Sequence, residues 1–300
     1  MNNWINIKGQ NKFYFSTDGK LVKENVEGCK FLNFIYKSFC GKILRRFFSS
    51  KICARFYSIY QDSFFSRRKI LPFIKKHNIN ISEFEKKPSQ FKSFNDFFIR
   101  KLQPEARSIC QNTNTLVATA DSKLLIIPDL SQKIEFFVKN ETFNLEFFLQ
   151  NKNLAYEYFN GTMMLFRLAP YDYHRFHFPT DCIASKSIKI PGKYESVNPI
   201  VYKSGIQPLI KNERRLVVLQ TDIFSEVLCI IVGAMLVGKI HETFIPHKKY
   251  KKGSEMGYFE FGGSTIALIF KQGIIQPKEI FLKHSALGFE TEVNMGQAIN

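Results

Sequence analysis

A glycine pair followed by a serine and a β-branched run lies near the carboxyl end of the chain, as Gly262-Gly263-Ser264-Thr265-Ile266. A glycine carbonyl followed by a serine hydroxyl is the least hindered arrangement for a chain to attack its own backbone. Because neither glycine has a Cβ, the turn can adopt conformations that expose the Gly263 carbonyl to the Ser264 oxygen. The same residues are also typical of an ordinary turn that enters a strand. This stretch alone leaves both interpretations open.

A serine nucleophile needs a base within hydrogen-bond reach and a group that orients the base. The chain has six histidines, and two of them, His174 and His177, share the segment from Asp172 to Pro179. These two are the natural candidate bases. Three residues apart, they would point to opposite faces of a straight strand. Both can therefore serve one pocket only if the chain turns between them.

Several further motifs resemble those of the phosphatidylserine decarboxylase proenzymes, a family that cleaves itself at a Gly-Ser bond and converts the serine into a pyruvoyl group. The similarity extends from about Phe91 to the carboxyl end. In chain order, the matching stretches are Phe94-Asn95-Asp96-Phe97-Phe98-Ile99-Arg100-Lys101-Leu102, Ala120-Asp121, Asp172-Tyr173-His174-Arg175-Phe176-His177-Phe178-Pro179, Asn212-Glu213-Arg214, Val232-Gly233-Ala234-Met235-Leu236-Val237-Gly238, Lys252-Gly253-Ser254-Glu255-Met256-Gly257-Tyr258-Phe259 and Gly262-Gly263-Ser264-Thr265.

The resemblance implies a role for each candidate site residue. His177 matches the base that activates Ser264 for cleavage, with Asp121 as the group that orients it. His174 matches the histidine that handles a proton during the later decarboxylation. Taken alone, Asp121 lies between two strand-like runs and is equally typical of a turn residue that caps its own backbone.

Two local departures from the family pattern affect turns and leave the reacting groups in place. Thr119-Ala120-Asp121-Ser122 stands where members commonly have Pro-Ala-Asp-Gly, and Gly262 stands where they commonly have leucine. The first change alters the turn around Asp121. The second change keeps the Gly263–Ser264 bond and makes the backbone that leads to this bond more flexible.

The implied cofactor is a covalent pyruvoyl group made from Ser264, and no metal site is expected. Cleavage would leave a large subunit, residues 1–263, bound to a small pyruvoyl subunit, residues 264–300. The pyruvoyl ketone would form a Schiff base with phosphatidylserine and accept the electrons released with carbon dioxide. The product would be phosphatidylethanolamine. Further oligomerisation is left open.

Charge and composition favour a lipid partner. The chain has 43 basic and 26 acidic residues, a formal net charge of +17, which calls for a polyanionic partner such as an anionic membrane or nucleic acid. Phenylalanine, with 32 copies, supplies apolar area without groups that read bases. We therefore expect a membrane partner and no nucleic acid. Six scattered cysteines without a Cys-x-x-Cys pair predict reduced thiols.

The strongest charge asymmetry lies between Lys30 and Lys76, which hold twelve Lys or Arg, twelve Phe or Tyr and one acid, Asp62. Apolar residues recur there at helical spacing and predict two or three short amphipathic helices lying in the headgroup region of a bilayer. The alternative is a helical hairpin packed on the body of the protein. No secretory signal and no membrane-spanning run are apparent, so we expect peripheral attachment to the cytoplasmic side of the cell membrane.

The pattern predicts an α+β fold, in which N-terminal amphipathic helices precede a mostly antiparallel β body. Pro88, in a polar stretch, suggests a boundary between a helical region, 1–88, and a catalytic domain, 89–300. A helix is expected around Leu145 to Tyr158. The predicted strands are Leu116 to Ile127, Lys133 to Phe143, Thr162 to Leu168, Arg215 to Thr221, Val227 to Val232 and Thr265 to Phe270.

Two other functions compete with this interpretation. A serine hydrolase would use Ser264, His177 and Asp121 as a permanent triad, although Thr265-Ile266 follows the serine where a Gly-x-Ser-x-Gly elbow has glycine. A basic nucleic-acid-binding protein would explain the charge and the interleaved aromatic residues. No zinc, RRM or helix-turn-helix signature supports the second.

Overall fold

A computed structural model describes residues 5–6, 13–24, 27–131, 134–135, 143–202, 204–235, 239–262 and 264–300. The helices are α1 (Cys29–Lys37), α2 (Phe39–Phe48), α3 (Lys51–Asp62), α4 (Ile70–His77), α5 (Phe94–Phe98), α6 (Leu145–Leu149), α7 (Lys152–Glu157), α8 (Pro199–Tyr202), α9 (Pro208–Lys211) and α10 (Glu279–Ala286). The strands are β1 (Ile5–Asn6), β2 (Phe13–Phe15), β3 (Leu21–Lys23), β4 (Ser122–Ile127), β5 (Ile134–Glu135), β6 (Thr162–Leu168), β7 (Arg175–His177), β8 (Cys182–Ala184), β9 (Ile188–Ile190), β10 (Arg214–Gln220), β11 (Glu226–Val232), β12 (Ile240–Glu242), β13 (Lys249–Tyr250), β14 (Glu255–Phe259), β15 (Ser264–Phe270) and β16 (Glu290–Val293).

The predicted α+β fold is confirmed: after the short strands β1 to β3, helices α1 to α5 precede a mostly antiparallel sheet. The main described sheet has the order β13-β8-β10-β11-β15-β6-β4-β16-β2-β3, with β9 also paired to β10. Its described pairs are antiparallel except β16 with β2, which is parallel. A smaller sheet has the order β12-β14-β7. Strands β2 and β3 extend the main sheet from the N-terminal region, which the sequence pattern did not indicate.

Strand β15 lies at the centre of the main sheet, between β11 and β6. Its successive side chains enter different apolar clusters, because neighbouring residues of a strand point to opposite faces. Ile266 and Leu268 belong to one cluster, whereas Ala267 and Ile269 belong to the other. Both faces of β15 are therefore covered, which explains the continuous apolar run in its sequence.

The three N-terminal helices divide the predicted apolar stripe between two environments. Leu32, Ile35 and Tyr36 of α1 are buried in a cluster that includes Val201 and Met235. On this helix the apolar stripe packs on the body of the protein.

The stripe continues on α2 and α3 but faces outward. The exposed fractions are 81% for Phe39, 63% for Ile43, 64% for Ile52 and 68% for Phe56. Serine side chains separate the three helices, since Ser38 caps α2 and Ser50 caps α3. Among the described helices, none combines the length and the hydropathy that crossing a bilayer requires.

The stretch predicted as a domain boundary contributes to an aromatic cluster. Phe84 and Phe91 are buried together with Ile70 and the phenylalanines of α5. Residues on both sides of position 88 thus share one core, and the division there stays a prediction.

Two predicted elements differ in detail from those described. The helix expected around residues 145–158 is two helices, because Gln150 adopts a left-handed conformation with φ 52° between α6 and α7. Most of the strand predicted at 133–143 lies outside the described residues, with Ile134–Glu135 described as β5.

Candidate active site

The turn that joins β14 to β15 carries the Gly-Gly-Ser motif. Gly262 has φ 143°, a positive value that side chains with a Cβ rarely adopt, which explains glycine at this position. Gly263 lies outside the described residues. Strand β15 then begins at Ser264, whose register partner is Leu168 on β6. The motif therefore forms the entry to the central strand of the main sheet.

Ser264 is completely buried, and its Oγ has no hydrogen-bond partner among the described residues. A buried polar atom without a partner costs about 1–3 kcal/mol. Such atoms are rare in folded proteins, and reactive groups are among the known reasons for them. Its environment therefore fits a nucleophile better than a turn residue whose hydroxyl only satisfies the local backbone.

His174 lies beside this turn. Its carbonyl accepts a hydrogen bond of 3.0 Å from the Phe259 N–H, at the end of β14, and its ring packs 3.9 Å from the Phe98 ring. The Nδ1 atom lies 3.0 Å from the Asp172 carbonyl, so Nδ1 carries the proton of the neutral ring. Nε2 has no partner of hydrogen-bond geometry among the described residues. The Gly262 backbone lies near the ring and raises the His174 pKa, but the effect of burial is larger. Burial lowers this pKa to about 3.

His177 is the last residue of β7 and pairs with Glu255, at the start of β14. Its Nδ1 lies 2.9 Å from the Gly253 carbonyl, and burial lowers its pKa. Its Nε2 also lacks a partner among the described residues. Three residues of strand separate the two histidines by about 10 Å along the chain. The described turn precedes both histidines, where the Asp172 N–H donates to the Ala169 carbonyl. His174 thus lies immediately before β7, and His177 is its last residue.

Asp121 lies on the segment next to His177, because the His177 N–H donates to the Thr119 carbonyl at 2.7 Å. Burial lowers the His177 pKa, and the Gly253 carbonyl, the Glu255 charge and, after them, the Asp121 charge oppose this effect. The Asp121 carboxylate accepts two hydrogen bonds from Arg107 Nε, at 2.9 and 3.0 Å, and one from Arg107 Nη2 at 2.6 Å. It also accepts the Met295 N–H at 2.8 Å.

The described geometry brings together parts of the predicted triad. Asp121 lies near His177, but within the described structure no hydrogen bond joins these two side chains or joins Ser264 to either histidine. The histidine beside the described part of the turn is His174. The roles assigned to Asp121, His177, His174 and Ser264 therefore stay predictions.

Helix α5 supplies site residues to which the sequence analysis gave no role. Phe94 and Phe98 pack on Phe261 in the turn, with ring centroids 5.2 and 4.9 Å apart. Asn95 Oδ1 accepts the Phe261 N–H at 3.1 Å, and Asn95 Nδ2 donates to Asp62, the last residue of α3, at 2.8 Å. Spacing of three and four residues between phenylalanines is a helical signal that indicates this packed face.

Helix α3 also contacts the turn directly. The Tyr57 and Phe261 ring centroids are 5.6 Å apart. Ser58 Oγ donates to Glu260 Oε2 at 3.1 Å, and His241 Nε2 lies 2.7 Å from Glu260 Oε1. The outward-facing helix and the Gly-Gly-Ser turn are thus in physical contact.

A cavity of about 480 Å³ lies between the N-terminal helices and the turn. Its apolar lining includes Phe31, Phe48 and Tyr57, and it reaches Phe261 and Gly262. This volume is within the range of about 300–1,000 Å³ for small-molecule sites. The cavity therefore connects the helices that expose apolar side chains with the candidate cleavage site.

The described residues contain no cluster of three or more His, Cys, Asp or Glu that could hold a metal ion. The six cysteines are free thiols, and Cys53, Cys182 and Cys229 are buried. Burial raises the pKa of Cys182 to about 12, so this thiol stays protonated and unreactive at neutral pH.

Comparison with known proteins assigns the chain to a family. The sequence model of the phosphatidylserine decarboxylase family matches residues 94–300. The phosphatidylserine decarboxylase proenzyme of Chlamydia felis is 41% identical over 271 residues, 90% of this chain and 91% of the relative. Those of Chlamydia pneumoniae and Clostridium perfringens are 41% and 40% identical, covering 93% and 92% of this chain and 93% and 94% of theirs. These matches show that the chain belongs to the phosphatidylserine decarboxylase family.

Proposed function

We propose that the protein decarboxylates phosphatidylserine with a pyruvoyl group that the chain makes from Ser264. The observation that carries this proposal is the environment of the serine. A fully buried hydroxyl, with no hydrogen-bond partner among the described residues, stands at the first residue of a central strand, directly after two glycines. Two buried histidines on β7 and immediately before it each have an unpartnered Nε2 within the described structure. These orphaned atoms fit a self-processing centre.

The first stage uses only groups of the chain and water. Ser264 Oγ attacks the Gly263 carbonyl carbon while a base takes the hydroxyl proton, and the peptide C–N bond breaks to leave an ester. Loss of the Ser264 α-proton then breaks the ester C–O bond, giving a Gly263 carboxylate and a dehydroalanine. Tautomerisation and hydrolysis of the dehydroalanine release ammonia and leave a pyruvoyl group on residue 264.

His177 is the proposed base, with Asp121 as its electrostatic partner. Because its Nδ1 donates to the Gly253 carbonyl, Nε2 keeps the lone pair that accepts a proton. The effect of burial keeps the ring neutral at pH 7. Asp121 stabilises the imidazolium that forms when the proton is transferred.

The second stage needs a proton donor or acceptor at the reacting carbon. The pyruvoyl group supplies a ketone that binds the substrate amine and accepts the electrons released with carbon dioxide. His174 is the proposed proton carrier, since its Nε2 has no partner of hydrogen-bond geometry in the described part of the chain and its ring lies beside Gly262. The apolar cavity next to Gly262 would exclude water from the reacting groups and hold part of the lipid.

A lipid substrate requires the protein to reach a membrane. The outward apolar faces of α2 and α3 would lie in the headgroup region, with exposed Lys37, Lys42 and Arg46 close to anionic lipid. We therefore propose peripheral attachment to the cytoplasmic side of the cell membrane. The contacts of α3 with Glu260 and Phe261 would place the catalytic turn next to that surface.

The proposal is tested with Ser264→Ala, which removes the nucleophile. Intact-mass measurement of the unchanged protein should show two fragments, one of residues 1–263 and one of residues 264–300 with a blocked N-terminus. The Ser264→Ala protein should be one chain and inactive. A serine hydrolase, in contrast, would be active as one uncleaved chain. An unchanged protein that is active without cleavage would therefore contradict the proposal.

The chain provides a matched control in a second Gly-Ser bond, Gly253–Ser254. Ser254 is partly exposed, and its backbone carbonyl accepts the Phe178 N–H. The Ser254→Ala protein should still give the 264–300 fragment. A fragment beginning at residue 254 in the unchanged protein would show that the wrong serine has been chosen.

A further inference from the structure

Two buried arginines link the backbone segments on either side of His174. Arg100 Nη2 donates to the carbonyls of Tyr171 and Asp172, at 3.2 and 3.3 Å. In the opposite direction, Arg175 Nε donates to the carbonyl of Ile99 at 3.0 Å, with a longer contact of 3.4 Å to that of Arg100. Each side chain thus holds the backbone of the other segment. His174 lies between the two anchoring points.

The Arg100 guanidinium is costly to bury. It is 4% exposed, and its Nε and Nη1 have no hydrogen-bond partner among the described residues. Phe84 and Phe97 cover it, with ring centroids 5.1 and 5.0 Å from its central carbon. Replacing a buried charge by an apolar side chain of similar volume is often neutral or stabilising. Packing alone therefore gives no reason for a cation here, whereas the two carbonyls need a donor.

Arg175 is anchored from a second direction. Its Nη1 forms an ion pair with Glu255 Oε2 at 2.9 Å, and its guanidinium lies 4.9 Å from the Tyr258 ring centroid. Both partners belong to β14, which leads into the Gly-Gly-Ser turn. Arg175 therefore connects the end of α5, the histidine segment and β14, the strand that leads into the Gly-Gly-Ser turn.

The Asp172 carbonyl joins Arg100 to His174. It accepts from Arg100 Nη2 and also from His174 Nδ1, at 3.0 Å. A carbonyl held in place by a cation keeps the proton on Nδ1 and leaves Nε2 as the acceptor. The ring direction is fixed on the other side by Phe98.

We propose that Arg100 and Arg175 are positioning residues that set the tautomer and direction of His174 through the backbone. The inference rests on the proposed function for the consequence it has in catalysis. Its structural part, the effect on the His174 ring, is independent of any activity. The two parts can therefore be tested separately.

The first measurement is nitrogen NMR of isotope-labelled histidine in the uncleaved Ser264→Ala chain, with the His174 signals assigned through a His174→Gln variant. His174 should appear as the neutral Nδ1–H tautomer. In the Arg100→Met protein the two tautomers should be mixed, because the Asp172 carbonyl is no longer held. Arg100→Lys, which keeps a cation able to reach one carbonyl, should give an intermediate spectrum. If the Arg100→Met protein does not fold, Arg175→Lys tests the opposite anchor.

Arg214 provides the matched control. It is 1% exposed, donates to the carbonyls of Phe148 at 2.6 Å and Phe147 at 2.7 Å, and lies 5.6 Å from the Phe148 ring centroid. Arg214→Met should lower stability and leave the His174 signals unchanged. Unchanged His174 signals in Arg100→Met would overturn the proposal, as would unchanged signals in Arg175→Lys where the Met variant does not fold. An equal shift in Arg214→Met would also overturn it.

The second measurement is the kinetics of the cleaved enzyme. Misplacement of a reacting group by about 1 Å can cost about 100-fold, so Arg100→Met should lower kcat by that order with little change in KM, and Arg100→Lys should recover part of it. If His174→Ala keeps full activity, the proposed role of His174 fails while the NMR result still decides the positioning role. An unchanged kcat in Arg100→Met, with His174 shown to be essential, would contradict the catalytic part.

Discussion

The two histidines of the site have similar internal chemistry and different neighbours. Each has Nδ1 next to a backbone carbonyl and Nε2 without a described partner, so each is a neutral base of the same kind. His177 lies beside the Asp121 segment, whereas His174 lies beside Phe259 and the turn. The different roles proposed for them follow from these positions, and substitution can separate the two roles.

We expect His177→Ala to block self-cleavage and His174→Ala to permit at least partial cleavage while abolishing decarboxylation. General acid–base assistance is worth about 10²–10⁴-fold, so its loss should be evident in either stage. A time course of the cleavage gel and a carbon dioxide assay measure the two stages. His284→Ala is the control, since His284 is a buried histidine that stacks on Phe15 away from the site.

The reverse pattern is the informative alternative. If His174→Ala blocks cleavage and His177→Ala does not, the histidine beside the turn is the cleavage base and the assignment from family resemblance is wrong. If both variants mature and turn over lipid, neither histidine belongs to the site.

Burial of His174 also predicts how stability depends on pH. Its pKa is lowered from 6.5 to about 3 in the folded chain, so the unfolded chain binds a proton at a higher pH than the folded one. Stability is therefore lost as the pH falls below 6.5. One such group should contribute about 2 kcal/mol between about pH 8 and about pH 5, at about 1.4 kcal/mol per pKa unit.

Urea unfolding of Ser264→Ala and of the Ser264→Ala/His174→Gln double variant measures this contribution, because the uncleaved chain removes maturation from the comparison. The difference in unfolding free energy between the two proteins should shrink or change sign as the pH is lowered. A constant difference over this range would show that His174 titrates normally in the folded protein.

At the scale of elements, the N-terminal helices combine two interpretations that the sequence could not separate. Periodicity predicts an apolar stripe but not what covers it. On α1 the stripe packs against the body through Leu32, Ile35 and Tyr36, whereas on α2 and α3 it is exposed. Arg45 of α2 also faces the body, with its Nε 3.6 Å from Glu195 Oε1. The side chains available to a membrane are therefore fewer than the composition of the segment indicates.

We expect the triple charge reversal Lys37→Glu, Lys42→Glu and Arg46→Glu to abolish binding to anionic vesicles. At about 1 kcal/mol per basic residue near an anionic surface, three reversals should cost several kcal/mol. Arg45 is left in place because a glutamate there would face the buried carboxylate of Glu195. Self-cleavage should survive, since these three side chains are exposed whereas the proposed reacting groups are buried.

The control for this variant reverses the same number of charges at Lys186, Lys248 and Lys249, which are exposed and form no ion pair with another described residue. Vesicle co-sedimentation and a cleavage gel are run on both proteins. Equal loss of binding in the control would mean that total charge, and not the helical face, attracts the protein to the membrane. Unchanged binding in the triple variant would contradict the proposed membrane face.

The sequence predicts the elements of the body better than it predicts the geometry of the site. Strand β6 is observed at its predicted bounds, and β15 begins one residue earlier than predicted, at Ser264. Long apolar runs are strong local signals. In contrast, the pairing of β7 with β14 joins residues about 80 positions apart, as in the Arg175–Glu255 ion pair. No local pattern predicts which histidine that register places beside the turn.

The role of α5 was also beyond local reasoning. The spacing of the phenylalanines in this five-residue helix indicates a packed face, but it does not show which part of the chain packs on that face. Asn95 reaches Phe261 across 166 positions of the chain. Its function as a link between α3 and the turn depends entirely on tertiary packing.

For the whole molecule, the proposed cleavage site has a consequence for how the two subunits stay together. The small fragment would consist of β15, α10, β16 and their connections. Strand β15 pairs with β6 over seven residues and with β11 over five, and β16 pairs with β4. The fragment thus contributes the central strand of the main sheet, and its side chains belong to both apolar clusters.

We therefore expect the two fragments to remain associated without a covalent bond. Removing one peptide bond at the entry to β15 leaves its hydrogen bonds and buried side chains in place, so the cleaved protein should elute from a native sizing column at the volume of uncleaved Ser264→Ala. Leu268→Ala should weaken the association, since Leu268 is fully buried and such truncations cost about 2–5 kcal/mol. Ile280→Ala, at a side chain that is 50% exposed on α10, is the matched control in the same fragment and should have little effect. Separation of the unchanged fragments under native conditions would show that β15 is not held in the sheet as described.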